Sequence, residues 1–467
     1  MFSRGNSEIS RRTFLGTSAA ALLAITGGQA LGKTLSKSRT LRSQNSPELK
    51  SDDVSFLQDY GKRCFQYFWE QWDSRTGLFM DRARVDGAPS SHVASSAATG
   101  FGLAAYCIGG ERGWVPKERA RARVLTTLRF LWARSFHDHG WFLHFMDPRT
   151  GQRRLDSEIS SIDTALLLAG VLTAQGYFSS DHEIHQLARQ IFERVDFVWM
   201  LNGNPYLLAH GVEPGSGFIK YRWDAYSEAS VLYLLGIGAV RNSLTPDSWY
   251  AWVRPEVRYQ KWKFISGGPL FTHQYSHAWV NFRHQTDANG TNYFENSRIA
   301  TYAHRDFCIN LQSQYASYGP NMWGITVSDS SRGYVNWGGP PDAGPIDGTL
   351  VPCAAAGSLM FTPDICLPVL REMSKLYGDK IYQRYGFADA FNPNWQDQKL
   401  WVNPDVIGID VGISLVSIEN LLTGNVWRWF MINQYIQSGM ERVGFQIATP
   451  GIGMKQIRET TRSSHSI

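Results

Sequence analysis

Little in this sequence points to a metal, a nucleotide or a membrane. Five cysteines (Cys64, Cys107, Cys308, Cys353 and Cys366) are spread over 467 residues with no CxxC pair. That disfavours a cysteine zinc site and leaves buried free thiols as the expectation. His273 and His277 stand at i,i+4 spacing with His284 beyond, but the Glu of an HExxH site and an evident third ligand are missing. Sugar-hydroxyl or structural hydrogen bonding is the role expected of the pair, and neither metal nor other cofactor is expected. No GxGxxG, GxxxxGKS, GxxxxGKT or GxSxG element occurs, which disfavours nucleotide and serine-hydrolase chemistry. Excess charge is scarce too. The net charge is +5, of which residues 1–30 hold +2, and there is no basic run, so no nucleic-acid partner is expected. The apolar stretch ending at Ile25 is too short, and too rich in Gly, Ser and Thr, for a stable membrane span.

What the chain does hold is apolar and aromatic. Apolar residues make up 43% and charged residues 19%, enough for a sizeable core. Seventeen Trp, 20 Tyr and 25 Phe favour a ring-lined cleft, the alternative being that a large helical domain buries its rings. Ser10-Arg11-Arg12-Thr13-Phe14-Leu15 opens a signal-like run that ends near Ala30. It predicts a twin-arginine export signal over 1–30 and a periplasmic or secreted protein. A Ser-, Lys- and Arg-rich linker is expected over 31–52, one domain over 53–447 and a tail over 448–467.

Helical periodicity dominates that domain. It predicts helices near 54–72, 97–108, 116–136, 160–175, 182–200, 226–240, 246–253, 273–282, 296–315, 353–358, 363–377, 413–422 and 426–438. Gly- and Pro-rich loops separate them. Roughly a dozen helices with no internal repeat and no composition break predict an all-α domain of two concentric layers. The extended stretch 203–220 leaves room for a small hairpin. Long loops over 137–146, 202–221, 321–348 and 391–402 carry rings and polar groups, and are expected to gather on one face.

Three acidic clusters stand out. Asp156, Glu158 and Asp163 precede an apolar run, where Asp163 or Ser160 could also cap the helix. Asp224 and Glu228 lie four apart among Tyr221, Trp223 and Tyr226, a spacing that places both acids on one face of a helix. Rings beside acids suit stacking on a sugar while a carboxyl protonates the bond to be cut; a helix start with solvated acids is the plainer account. Asp410 sits in an apolar, Gly-flanked segment expected to be strand or turn. A carboxylate there must be paired, hydrogen-bonded or shifted in pKa, which suits a general base.

Seven ordered segments carry a family resemblance: 157–170, 221–238, 267–287, 292–306, 323–341, 347–363 and 407–430. Together they resemble the bacterial glycoamylase-like proteins of glycoside hydrolase family 144, the β-1,2-glucanase group. The resemblance implies an (α/α)6 barrel, a toroid of about twelve helices in two layers. It also implies metal-independent, inverting hydrolysis of β-1,2-glucan, acting internally or releasing sophorose; apart from the resemblance, a monomer is expected. Glu228 then resembles the general acid and Asp410 the general base. Asp156, Glu158, Asp163, Tyr221, Trp223, Asp224, Tyr226, His273, His277 and Trp337 are the implied substrate contacts. Inversion places the acid and base on opposite sides of the scissile bond, typically ~6.5–9.5 Å apart. Asn281, Asn292, Val411 and the run Ser330-Ser331-Arg332 depart from the family pattern and bear on product length. An α-glucan hydrolase and a catalytically silent glycan-binding protein are the alternatives.

Overall fold

The structure, a computed structural model, describes residues 49–88, 92–341, 344–396 and 399–447. The predicted signal over 1–30, most of the linker and the tail over 448–467 lie outside the described residues.

Among the described residues fourteen α-helices follow in order. Odd-numbered ones are α1 (Ser51–Glu70), α3 (Lys117–Ala133), α5 (His182–Glu193), α7 (Asp247–Ala251), α9 (Tyr293–Asn310), α11 (Pro363–Tyr377) and α13 (Asn425–Met431). Even-numbered ones are α2 (Ser96–Glu111), α4 (Ser161–Tyr177), α6 (Ser230–Gly238), α8 (Tyr275–Trp279), α10 (Pro352–Ala356), α12 (Gly408–Leu422) and α14 (Gln434–Arg442).

Burial separates two layers. In α2, α4, α6, α8, α10 and α12 nearly every residue is buried, whichever way it points. In α1, α3, α5, α9 and α11 only one stripe is. A helix apolar all round must lie inside, whereas an amphipathic one can cover it. The even helices from α2 to α12 therefore form an inner ring with α1, α3, α5, α9 and α11 around it, while α13 touches α2, α4, α8 and α12, and α14 packs on α6. Around the ring α2 touches α4, α4 touches α6 and α6 touches α8, while α12 touches α8, α10 and α2. Gln274, just before α8, closes the remaining gap by donating to the Ala354 carbonyl of α10 at 2.8 Å. The result is the all-α, two-layered toroid expected.

Glycine sets the closest approach in the ring. A Cβ on Gly170 would lie 2.1 Å from the Gly100 carbonyl oxygen, and one on Gly100 2.2 Å from that of Leu166. Strands are short ties between loops. Ala94–Ser95 pairs with Phe145–Met146, and Arg82–Arg84 with Asp405–Ile407. Ile159–Ser160 pairs with Gly211–Glu213, which makes the hairpin with Gly217–Phe218 for which 203–220 left room.

These ties sit where inner helices begin, so the inner N-termini share one face. Val231 of α6 donates to Ser276 Oγ of α8 at 2.9 Å, and Tyr275 of α8 donates to Asp410 of α12 at 3.3 Å. A Cβ on Gly408 of α12 would lie 3.0 Å from the Ala98 Cβ of α2. The five cysteines are free and buried, as their spacing predicted.

Candidate active site

Three acids from the sequence clusters meet this face at helix beginnings. Asp163 is buried in the first turn of α4, where Ser160 is the N-cap and accepts from the Asp163 amide at 3.2 Å. The Ser160 hydroxyl donates in turn to Asp163 Oδ2 at 2.6 Å. The His144 ring stands between two of the acids, its Nε2 3.6 Å from Asp163 Oδ1 and its Nδ1 3.4 Å from Glu158 Oε1. Glu158 is half-buried, while Asp156 is exposed at a left-handed φ of 47°.

Glu228 and Asp224 are not on a helix. The sequence spacing predicted a helical face for the two, but α6 starts at Ser230, with Glu228 in the preceding turn. The cause is a competing backbone pairing: Tyr226 N–H donates to the Val253 carbonyl at 2.8 Å, and Val253 N–H to the Asp224 carbonyl at 2.7 Å. Those bonds hold residues 224–226 extended. Asp224 is exposed, its carboxyl raised in pKa by partial burial, whereas Glu228 is 5% exposed. Ser276 donates to the Glu228 carbonyl at 2.6 Å.

Asp410 also corrects its expectation. It lies in the first turn of α12, not in a strand or free turn. An α-helix N-terminus favours negative charge. Asp410 is 7% exposed and accepts from the Tyr275 hydroxyl.

The aromatic neighbours are mostly satisfied by protein. Trp223 donates to Ser161 Oγ at 2.8 Å and stacks on His210. Trp337 donates to Ser328 Oγ at 2.9 Å. Trp223, Trp337 and Tyr226 are buried, and Tyr221 is half-buried. His273 and His277 are buried as well, both pushed down to about 3 by desolvation first and a neighbouring histidine second. Tyr226 hydroxyl meets His273 Nδ1 at 3.2 Å and Ser297 Oγ meets His277 Nε2 at 3.1 Å. Of the two roles expected for these histidines, the structure displays the structural hydrogen bond. Among the departures from the family pattern, Asn292 caps α9 by accepting from the Glu295 amide at 2.9 Å.

Sequence reasoning missed a second acidic group beside Asp410. Asp389, Asp410, Cys353, Tyr60 and Tyr385 line one small internal space. Asp389 Oδ2 accepts from the Asp329 amide at 2.9 Å and from Asn403 Nδ2 at 3.1 Å. Arg82 pairs with Asp329 at 2.8 Å and with Asp81 at 3.3 Å. Burial first, then the Asp410 and Asp329 carboxylates, hold Asp389 well above the usual carboxylate range. The apolar run Gly386-Phe387-Ala388-Asp389-Ala390-Phe391 carries the same signal that drew notice to Asp410: a lone acid in a buried segment.

The family described as Putative glucoamylase matches residues 220–434, the span from the Glu228 turn through Asp410. The chain is similar to an endo-β-1,2-glucanase structure from Chitinophaga pinensis, in complex with sophorotriose and glucose, at 25% identity and a TM-score of 0.78, covering 85% of this chain and 99% of that one. A putative glucoamylase from Bacteroides uniformis matches at 27% identity with the same TM-score, over 86% of this chain and 99% of that one. A curated relative from Parabacteroides distasonis, an exo β-1,2-glucooligosaccharide sophorohydrolase (non-reducing end), is 26% identical over 89% of this chain. The chain spans 61% of that relative's length.

Proposed function

We propose that the protein is an inverting glycoside hydrolase that cleaves β-1,2-glucan, with Glu228 as general acid and Asp410 as general base. One observation carries this reading: two successive residues of α8 hold both segments, Tyr275 on the Asp410 carboxylate and Ser276 on the Glu228 backbone. The two carboxyl-bearing segments, 182 positions apart in sequence, thus lie on either side of one short inner helix. The names of the relatives supply the linkage. In the proposed reaction Glu228 protonates the departing glycosidic oxygen while Asp410 takes a proton from the attacking water. Bond cleavage and attack from the opposite face invert the anomeric carbon. Asp156, Glu158, Asp163, Tyr221 and Asp224 are the proposed polar contacts to glucose units. Trp223, Tyr226, His273, His277 and Trp337 are proposed to shape the wall behind them. The enzyme is read as an exported monomer that needs no cofactor.

The family's description favours a second reading, an α-glucan hydrolase. Linear β-1,2-glucan and starch offered in parallel separate the two, with products followed by proton NMR. Release of α-configured sophorose or longer oligosaccharides from β-1,2-glucan alone supports the first reading. Glucose from starch alone supports the second. Binding of β-1,2-glucan with no product after long incubation marks a silent glycan-binding protein.

A further inference from the structure

A second carboxyl faces the proposed base, and the groups around it leave it no cation of its own. Asp389 is 4% exposed and lines one small space together with Asp410. Its Oδ2 is occupied by two N–H donors, from Asp329 and Asn403. Its Oδ1 is buried and meets no donor among the described residues. The charged and titratable groups around the pair come from every adjoining element. Asp329 adds a negative charge, the Cys353 thiol is pushed up by burial and by Asp410, and the Tyr275 hydroxyl donates to Asp410. Arg82 is the cation that acts on Asp389, and its guanidinium already bonds Asp81 and Asp329. Two facing carboxylates in such a space cannot both hold full charge; one keeps a proton and bonds the other. Asp410 has the helix N-terminus to favour its charge, so the proton falls to Asp389.

We propose that Asp389 is a positioning residue: it stays protonated at neutral pH and donates from Oδ1 to the Asp410 carboxylate, aiming it at the attacking water. This rests on Asp410 being the base of the proposed reaction. The bond fixes the Asp410 carboxyl plane and tempers its basicity, and it is lost when Asp389 ionises at higher pH.

Two variants and two readouts test it. Asp389→Ala is expected to lower kcat on β-1,2-glucan about 10²-fold with little change in KM, the scale of a misplaced reacting group. Asp389→Asn, which keeps a donor toward Asp410 and acceptors for Asp329 and Asn403, is expected to restore most of that loss. Independently of turnover, infrared difference spectra at neutral pH should show a protonated-carboxyl stretch in the wild type that Asp389→Asn lacks. An Asp389→Asn variant no more active than Asp389→Ala, or a spectrum with no such band assignable to Asp389, overturns the proposal. A wild type inert on β-1,2-glucan overturns the proposed reaction instead, and the infrared comparison still decides where the proton is.

Discussion

Tyr275 donates its hydroxyl to Oδ1 of Asp410 over 3.3 Å, joining two inner helices at the face where the proposed chemistry lies. Tyr275 is 2% exposed and packs edge-on against Phe101 and tilted against Phe271. Its ring is fixed before any substrate arrives. Tyr275→Phe keeps that packing and removes the donor. A hydrogen bond to a charged group is worth about 1.5–3 kcal/mol, so kcat on β-1,2-glucan is expected to fall by roughly 10- to 100-fold. Steady-state kinetics with KM near the wild-type value would support this role, and an unchanged kcat would refute it.

Buried histidines set an acid limit on stability. His273, His277 and His304 are buried and pushed down to about 3. His304 is neutral in a defined tautomer, since its Nε2 accepts from the Ile325 amide at 3.0 Å. The unfolded chain protonates these rings near pH 6.5 and the folded one does not. Stability is therefore complete above that pH and is lost as pH falls toward 3, by up to about 1.4 kcal/mol per pH unit for each ring. Urea midpoints at pH 7 and pH 5 are expected to drop, and His304→Gln, which preserves the acceptor, should make the drop shallower. Equal midpoints at both pH values would contradict the account.

Close helix contact makes a paired glycine prediction. Gly170→Ala would force a Cβ into the Gly100 carbonyl, a backbone atom that cannot swing aside. Overpacking of this kind costs typically about 1–3 kcal/mol, exceeding the ~1 kcal/mol by which alanine favours a helix. Gly61 in α1 has its nearest neighbour at an ordinary 3.5 Å, so Gly61→Ala is expected to be neutral or stabilising. Thermal midpoints should move in opposite directions, or only the Gly170 variant should fall. A Gly170 variant as stable as the wild type would rule out the close approach.

The helices were legible because periodicity is local. α11 spans the predicted 363–377, and α4, predicted over 160–175, spans Ser161–Tyr177. Where prediction slipped, a distant backbone partner intervened. Val253 takes the hydrogen bonds that would have extended α6 back to Tyr226. The predicted helix over 182–200 breaks at Arg194, with only a short 3-10 turn at Trp199–Leu201 beyond it.

The site was legible as residue types and less so as contacts. Asp163 drew attention as one of three acids ahead of an apolar run, Glu228 through its spacing to Asp224 among aromatic rings, and Asp410 as an acid in an apolar, Gly-flanked segment. Asp389 carries the same mark as Asp410, but its partners lie 60 residues away at Asp329 and 14 away at Asn403. Ring counting also overstated the cleft: Trp141, Trp249, Trp279 and Trp323 are fully buried, as large helical domains require. Aromatic number alone does not say which rings face a ligand.

The central claim concerns one acid and one base, and the rate of reducing-end release from linear β-1,2-glucan tests it most directly. Wild type, Glu228→Gln and Asp410→Asn should be compared at equal concentration after circular dichroism has shown each to be folded. The account predicts turnover by the wild type and a loss of about 10²–10⁴-fold in each variant, the scale of removing a general acid or base. Both variants releasing product at the wild-type rate would contradict it.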